Sequence, residues 1–448
     1  MLRVRKNKTM EFDISYTNKE ITPWGGMVFL KQMLQKTGFR ELIEANTDLP
    51  QSGSNRGYKT STLIEGFITS IWCGANRFLH TEVTRHDVSL GKIFDWKSTP
   101  GQDAYKRFFN KFNPTINLKV SDYFYSWLFD NLKYNNFTLD IDSSVMTRYG
   151  GQQGAKKGYN PSKKGRASHH PLIAFIADVK LVANMWLRSG DTSSANNFLS
   201  FLENTLSKLQ NKTISLIRLD SGFFQSDILD YLESKPMDYI IAAKFTHPIQ
   251  RLIAGSNNWI VLDNGVEICE QMYQSDAWQK TRRLVIVRQK ISERPKATGK
   301  QLKLFLEEEI CKNYRYSAYV TNTKFAPAEV WRLYRGRAEA ENRIKELKYD
   351  FGFDSFNLNN FYATEAALMF VMIGYNLMAL FRTFVLQEKT QKTLSTLRYR
   401  TFAVGAYFEK INGKLTLKIA LNKKRRSWFD GLWNYSKICE FPFVFSNA

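Results

Sequence analysis

The sequence predicts an α/β protein preceded by a helical region, and three observations predict it. Apolar residues recur at three and four positions from about Ile21 to Lys133, the period switches to two at Phe137, and short apolar strands then alternate with helical stretches up to a strongly apolar run, Ala366 to Phe381. At 448 residues and 43% hydrophobic, the chain has room for two to three domains and a sizeable core.

Residues 1–134 form the helical region. Val28, Leu30, Met33 and Leu34, then Leu63, Phe67, Ile68 and Ile71, each mark one helix face. Loops there carry Arg56, Lys59, Arg77, Arg85, Lys106, Arg107 and Lys111, which suit either a polyanion or plain solvent. Residues 135–245 open the main α/β pattern. FTLDID puts Leu139 and Ile141 on one strand face and Asp140 and Asp142 on the other. LIAFIADV and LVANMWLR read as two further strands, and a helix opened by Asp191 to Ser194 runs to about Leu209. SLIRLD is a buried strand ending in Asp220, a helix follows Gly222, and DYIIAAKF is another strand.

Residues 246–313 change texture to short alternating stretches, WIVLD and LVIVRQ, as expected of a small β-rich insertion. The main pattern resumes over 314–388. YSAYVTN is a strand, and one long helix runs from Pro327 through Trp331, Tyr334, Glu341 and Leu347. Residues 389–448 are basic and aromatic, with KKRR at Lys423 to Arg426 and no clear period.

Lys and Arg number 64 against 42 Asp and Glu, a formal charge of +22 that favours a polyanionic partner, nucleic acid first, with no basic amphipathic anchor for a membrane surface. Cys73, Cys269, Cys311 and Cys439 lie far apart without a CxxC pair, so neither a zinc site nor a disulfide framework is indicated and a reducing cytoplasm fits. MLRVRKNKTMEF has no apolar core of a signal peptide. The run Ala366 to Phe381 is shorter than the roughly 20 residues that span a bilayer and contains Asn376, which points to a buried helix.

Phosphodiester transfer without a covalent intermediate needs hard oxygen ligands for Mg²⁺, and two ions about 4 Å apart serve the attacking and leaving oxygens. Asp142 late in one strand, Asp220 at the end of another and Glu341 on a later helix can converge, although an Asp at a strand end is ordinarily a cap and a Glu on a helix is ordinarily solvated.

The spacing becomes specific at YRGRAEAENRIKELK, where Tyr334, Arg337, Glu341 and Lys348 are separated by two, three and six residues. This resembles the YREK signature of DDE transposases of bacterial insertion sequences. Arg337, Glu341 and Lys348 follow at i, i+4 and i+11, so they share one helical stripe, with Tyr334 a turn earlier. LDIDSS resembles the family's first-acid segment and favours Asp142 over Asp140, and RLDSGFF is similar to its second. GYNPSKKGRASHHPL, Gly158 to Leu172, looks like the group of insertion sequences numbered thirteen-eighty. The match covers about residues 135 to 385 and is weaker in the N-terminal helices.

The resemblance implies an RNase H-like catalytic core, a mixed sheet flanked by helices, interrupted by the β-rich insertion and preceded by a helical DNA-end-binding region. It implies cut-and-paste transposition by a homodimer on paired terminal inverted repeats, strand transfer into target DNA, and a cytoplasmic, nucleoid-associated setting. Asp142, Asp220 and Glu341 would be catalytic ligands of two Mg²⁺ or Mn²⁺ ions, and Tyr334, Arg337 and Lys348 would contact DNA phosphate. Asp140, on the same strand face as Asp142, is either a supporting acid or the true ligand. Two other readings stand beside this one: a nuclease of the same fold without strand transfer, and a non-catalytic DNA-binding derivative.

Arg148, Lys156, Lys157, Lys163, Lys164 and Arg166 occur in a stretch without acids, among five glycines and two tyrosines, and can track a phosphate backbone. His169 and His170 read as structural or phosphate-facing, since Mg²⁺ prefers oxygen. For transposases that form a hairpin on the DNA end, the resemblance implies a flipped base held by an aromatic residue of the insertion; Trp278, just before Arg282 and Arg283, is the expected partner, and Trp259 is expected in the core.

Overall fold

The structure is a computed structural model and describes residues 13–54, 56–262, 265–291, 314–387, 391–438 and 440–444. Its centre is a mixed sheet of β1 (Phe137–Ser143), β2 (Leu172–Ile176), β3 (Leu181–Trp186), β4 (Ile214–Leu219), β5 (Asp238–Ala242), β6 (Ile260–Val261), β7 (Val266–Tyr273), β8 (Arg282–Lys290) and β9 (Tyr314–Thr321). The spatial order is β6-β7-β8-β9-β5-β4-β1-β2-β3. β1, β4 and β5 run parallel, and every other neighbouring pair is antiparallel.

Helices cover both faces, which is why the central strands are buried throughout and why period two in β1 does not separate a wet face from a dry one. On one face Leu139, Ile141, Ala174 and Ile217 pack with Phe198, Phe201 and Leu202. On the other, Ile173, Phe175 and Val182 join a core built largely from helices. The helices used below are α1 (Thr60–Trp72), α2 (Pro114–Asp130), α3 (Phe198–Leu209), α4 (Pro327–Arg335), α5 (Ala338–Asp350), α6 (Phe361–Leu380) and α7 (Lys423–Ile438). α3 begins later than expected. The segment before it turns its Ser193, Ser194 and Asn196 carbonyls onto Arg188 Nη1, and so does not start the helix at Asp191.

The apolar run lies in α6, extended by a further turn to Leu386, long and apolar enough to cross a membrane yet 89% buried in this protein over its most apolar window. Asn376 explains its own presence in that helix. Its amide accepts from Val182 N–H at 2.8 Å and donates to Val182 C=O at 2.9 Å, satisfying backbone of the edge strand β3. On its other side α6 meets α1, where the Trp72 indole donates to Gly374 C=O at 3.1 Å.

The segment expected to be β-rich carries β6, β7 and β8, which continue the central sheet through β9. One expectation changes. The tail, expected without period, contains a hairpin, β10 (Ala406–Ile411) and β11 (Lys414–Ile419), followed by α7. Its turn is Asn412-Gly413, both at positive φ, the dipeptide that a two-residue hairpin favours. β10 pairs with the strand Ile21–Thr22, and the ring of Phe429 in α7 packs tilted against that of Phe29 at 4.6 Å, so the hairpin and α7 pack against elements from the first thirty residues.

Candidate active site

Ile141 and Leu219 are partners across the parallel pair β1–β4. One residue further along each strand come Asp142 and Asp220, side by side at the carboxyl ends, where open α/β sheets place ligands. Each is oriented by local backbone: Asp142 Oδ1 accepts from Ser143 N–H at 2.8 Å and Asp220 Oδ1 from Gly222 N–H at 2.8 Å. Because strand neighbours alternate faces, Asp140 and Arg218 share the same face one step deeper. Arg218 Nε and Nη2 donate to the two Asp140 oxygens at 2.6 and 2.8 Å, and Asp140 is fully buried. Both Asp140 oxygens are thus taken up by Arg218, whereas Asp142 Oδ2 makes no such bond.

Arg218 also shapes the helix above. Its Nη1 donates to Leu333 C=O at 2.6 Å. A Cβ on Gly336 would lie 2.5 Å from the same nitrogen, so a side chain there would push the Arg218 guanidinium aside. The single long helix expected from Pro327 therefore ends as α4, and α5 starts at Ala338. Tighter turns join them, Gly336 N–H to Leu333 C=O at 3.2 Å and Arg337 N–H to Tyr334 C=O at 3.0 Å.

This break lowers Arg337 between the acids. Its Nη2 stands 3.1 Å from Asp142 Oδ2 and its Nη1 4.0 Å from Glu341 Oε1. The approach to Asp142 is an ion pair without hydrogen-bond alignment, and Nε and Nη2 have no hydrogen-bond partner although Arg337 is only 6% exposed. Glu341, in the first turn of α5, is 60% exposed at its side chain. Burial, opposed by Arg337 and reinforced by the Asp220 and Glu341 charges, pushes the Asp142 carboxyl up to about 6.

Lys348 lies two turns along α5 and donates to Val145 C=O at 3.0 Å, and burial lowers its ammonium pKa against the pull of Asp354 and Asp142. The Tyr334 hydroxyl donates to Leu219 C=O at 3.3 Å, beside Asp220, while its ring packs 4.4 Å from that of Tyr319. Burial raises this phenol's pKa well above its ordinary value.

The other expected contacts divide. Lys157, Lys163, Lys164 and Arg166 are exposed, and Lys156 is exposed but paired with Asp191 at 3.0 Å. Lys156 and Lys157 lie on a small sheet with Met146–Thr147 and Ala167–His169, not on an open loop. Arg148 departs from expectation: it is 2% exposed, and its Nε donates to His169 Nδ1 at 3.0 Å, so it braces this sheet from inside. His169 and His170 are buried and structural. Trp278 also departs. It is 8% exposed, wedged edge-on to Phe224 and Tyr273 at 5.6 and 5.3 Å with the Arg282 guanidinium 4.9 Å over its ring. Trp259 is the more open of the two, under Arg288 at 4.1 Å. Sequence reasoning missed Arg218; its signal was an Arg in an otherwise apolar strand, two residues before an Asp.

A family model described as transposase DDE domain, group 1, matches residues 4–435. The chain belongs to this family. No curated protein matches the sequence. Among solved structures, the cryo-EM structure of the piggyBac transposase synaptic complex with hairpin DNA is similar at 12% identity, with 84% of this chain and 78% of that one covered and a TM-score of 0.45.

DDE transposases use divalent metals, and the donor chemistry of this transposase fits them. Asp142, Asp220 and Glu341 offer hard oxygens, and the acids around buried Asp142 outnumber the cations that meet them. Among the described residues, no three His, Cys, Asp or Glu side chains are gathered closely enough to hold an ion. The Arg337 guanidinium lies within 4.0 Å of both Asp142 and Glu341.

Proposed function

We propose that this DNA transposase moves an insertion sequence by cut-and-paste: it cleaves DNA at the element's terminal repeats and joins the freed 3′-hydroxyl to target DNA. The observation that carries this reading is the placement of Asp142 and Asp220 at adjoining strand ends with Glu341 facing them across Arg337. Asp142, Asp220 and Glu341 would hold two Mg²⁺ or Mn²⁺ ions. Such ions, when bound, activate the attacking oxygen and neutralise charge on the leaving one. The protein's own part is orientation and electrostatics: Lys348, tethered to the backbone beside Asp142, offers fixed positive charge to a phosphate at the strand end, and Arg337 adds a second positive charge there. The Tyr334 hydroxyl, anchored on Leu219 C=O, fixes the entry of α5 against β4.

The exposed cations Lys157, Lys163, Lys164 and Arg166 would meet the phosphates of the flanking duplex. A homodimer pairing two element ends, membership of the insertion-sequence group numbered thirteen-eighty, and action at the bacterial nucleoid complete the proposal. Strand transfer on end-containing DNA with Mg²⁺ tests it. Joined products are expected from the wild type. Cleavage without joining would make the chain a nuclease, and binding without cleavage a non-catalytic derivative.

A further inference from the structure

We propose that Arg337 is a built-in counter-ion: its guanidinium fills the gap between Asp142 and Glu341 until divalent cations enter, and is then displaced towards the DNA phosphate. The inference rests on the metal-dependent reading of the site and adds an order of events to it.

Three features single out this side chain. It is one group facing two of the three acids, 3.1 Å from Asp142 and 4.0 Å from Glu341. It is held by charge alone at its inner nitrogens: Nε and Nη2 make no hydrogen bond in a buried setting, so moving away breaks none there. The neighbouring cations, by contrast, are committed. Arg218 makes two hydrogen bonds to Asp140 and one to Leu333 C=O, and Lys348 is tied to Val145 C=O.

The backbone supports the same conclusion. Arg337 is the residue joining α4 to α5, in a tight turn rather than mid-helix, so its side chain leaves from a fixed point that Arg218 and Gly336 set. Glu341, mostly exposed, gives cations a way in from solvent. A buried guanidinium without hydrogen bonds is poorly satisfied, and a phosphate is the ligand whose paired oxygens suit its fork. Metal entry and phosphate capture are thereby coupled: the cations that take over the carboxylates release the arginine that grips the substrate.

The test uses the full chain without DNA and Mn²⁺ as probe, with free Mn²⁺ read by electron paramagnetic resonance. Arg337→Ala and Arg337→Gln are expected to bind Mn²⁺ about tenfold more tightly than wild type, Arg337→Lys close to wild type, and Asp142→Asn more weakly. With element-end DNA, adding Ca²⁺ should steepen the log–log salt dependence of wild-type binding by about 0.9, one phosphate contact, and leave Arg337→Gln unchanged. Equal or weaker Mn²⁺ binding by Arg337→Gln, the amide that keeps bulk if the alanine variant fails to fold, overturns the counter-ion while leaving the metal site standing. Absence of Mn²⁺ binding by wild type overturns both.

Discussion

Arg218 grips Asp140 through two hydrogen bonds of 2.6 and 2.8 Å in the depth of the sheet, two residues before Asp142 on one strand and Asp220 on the other. The same strand face thus carries a structural pair below and a chemical pair above. Asp140→Asn should destabilise the fold by about 3–5 kcal/mol, because Arg218 keeps a buried charge without its counter-charge. Urea unfolding measures this, and Asp140→Leu with Arg218→Met should regain most of it. A stable but inactive Asp140→Asn would instead give Asp140 a role in chemistry.

Asp142→Asn should do the opposite, abolishing cleavage while stabilising the protein at pH 7.5. The sign follows from a carboxyl raised to about 6 in the fold against 3.8 in the unfolded chain. The folded state favours the protonated form, so the penalty is absent below pH 3.8, grows towards pH 6 and is complete above it, at most about 3 kcal/mol. A lower melting temperature for Asp142→Asn at pH 7.5 would contradict this. Asp220→Asn and Glu341→Gln should also abolish cleavage, with end binding kept, as gel-shift and nicking assays read together.

His169 should make the protein acid-sensitive. Arginine can only donate, so the bond from Arg148 Nε requires an unprotonated Nδ1, leaving Nε2–H to donate to Gln153 C=O at 3.0 Å. Burial, then the Arg148 charge, hold this imidazole down at about 4. Its contribution is whole above pH 6.5 and is lost as pH falls from there towards 4. His169→Gln can still accept from Arg148 but does not titrate. Its melting temperature should vary less than the wild type's across that window; an identical pH profile would place the sensitivity elsewhere.

Trp278→Ala should cost about 3–5 kcal/mol, the usual penalty for emptying a core aromatic site. Nicking and second-strand cleavage should then fall together. A stable variant that nicks normally but fails only in second-strand cleavage would show the ring leaving its pocket to meet a base.

Lys163→Ala, Lys164→Ala and Arg166→Ala should each lower the salt slope of end binding by about 0.9 without changing the melting temperature. Arg148→Ala, from the same stretch of sequence, should do the reverse and lower the melting temperature. Parallel thermal and salt titrations separate the two.

The central strands and α6 were legible because short apolar runs bounded by turn residues, and one long apolar run, are what elements buried on all sides require. The placement of Asp142 and Asp220 at adjoining strand ends was legible because each closes an apolar run that reads as a strand. Arg337's place between the acids was not, since it depends on Arg218 reaching Leu333 from a different strand and breaking a helix whose local sequence, apart from Gly336, favours continuity. Trp278 misled for a related reason: a tryptophan beside two arginines looks like a nucleic-acid contact, whereas Arg282 turns inward to Glu233 at 2.8 Å and covers the ring. The tail hairpin was readable from Asn412-Gly413 between alternating residues, but aromatic and basic side chains on both faces masked the period.

α6 is gripped from both sides, by Trp72 of the N-terminal helices and by Val182 of the sheet. The helical region is therefore no detachable reading head. A fragment starting near residue 135 would lay bare one flank of the most apolar helix in the chain, and it should aggregate on expression rather than survive as a minimal nuclease. Shortening this protein has to proceed from loops, with the helices that pack against α6 kept.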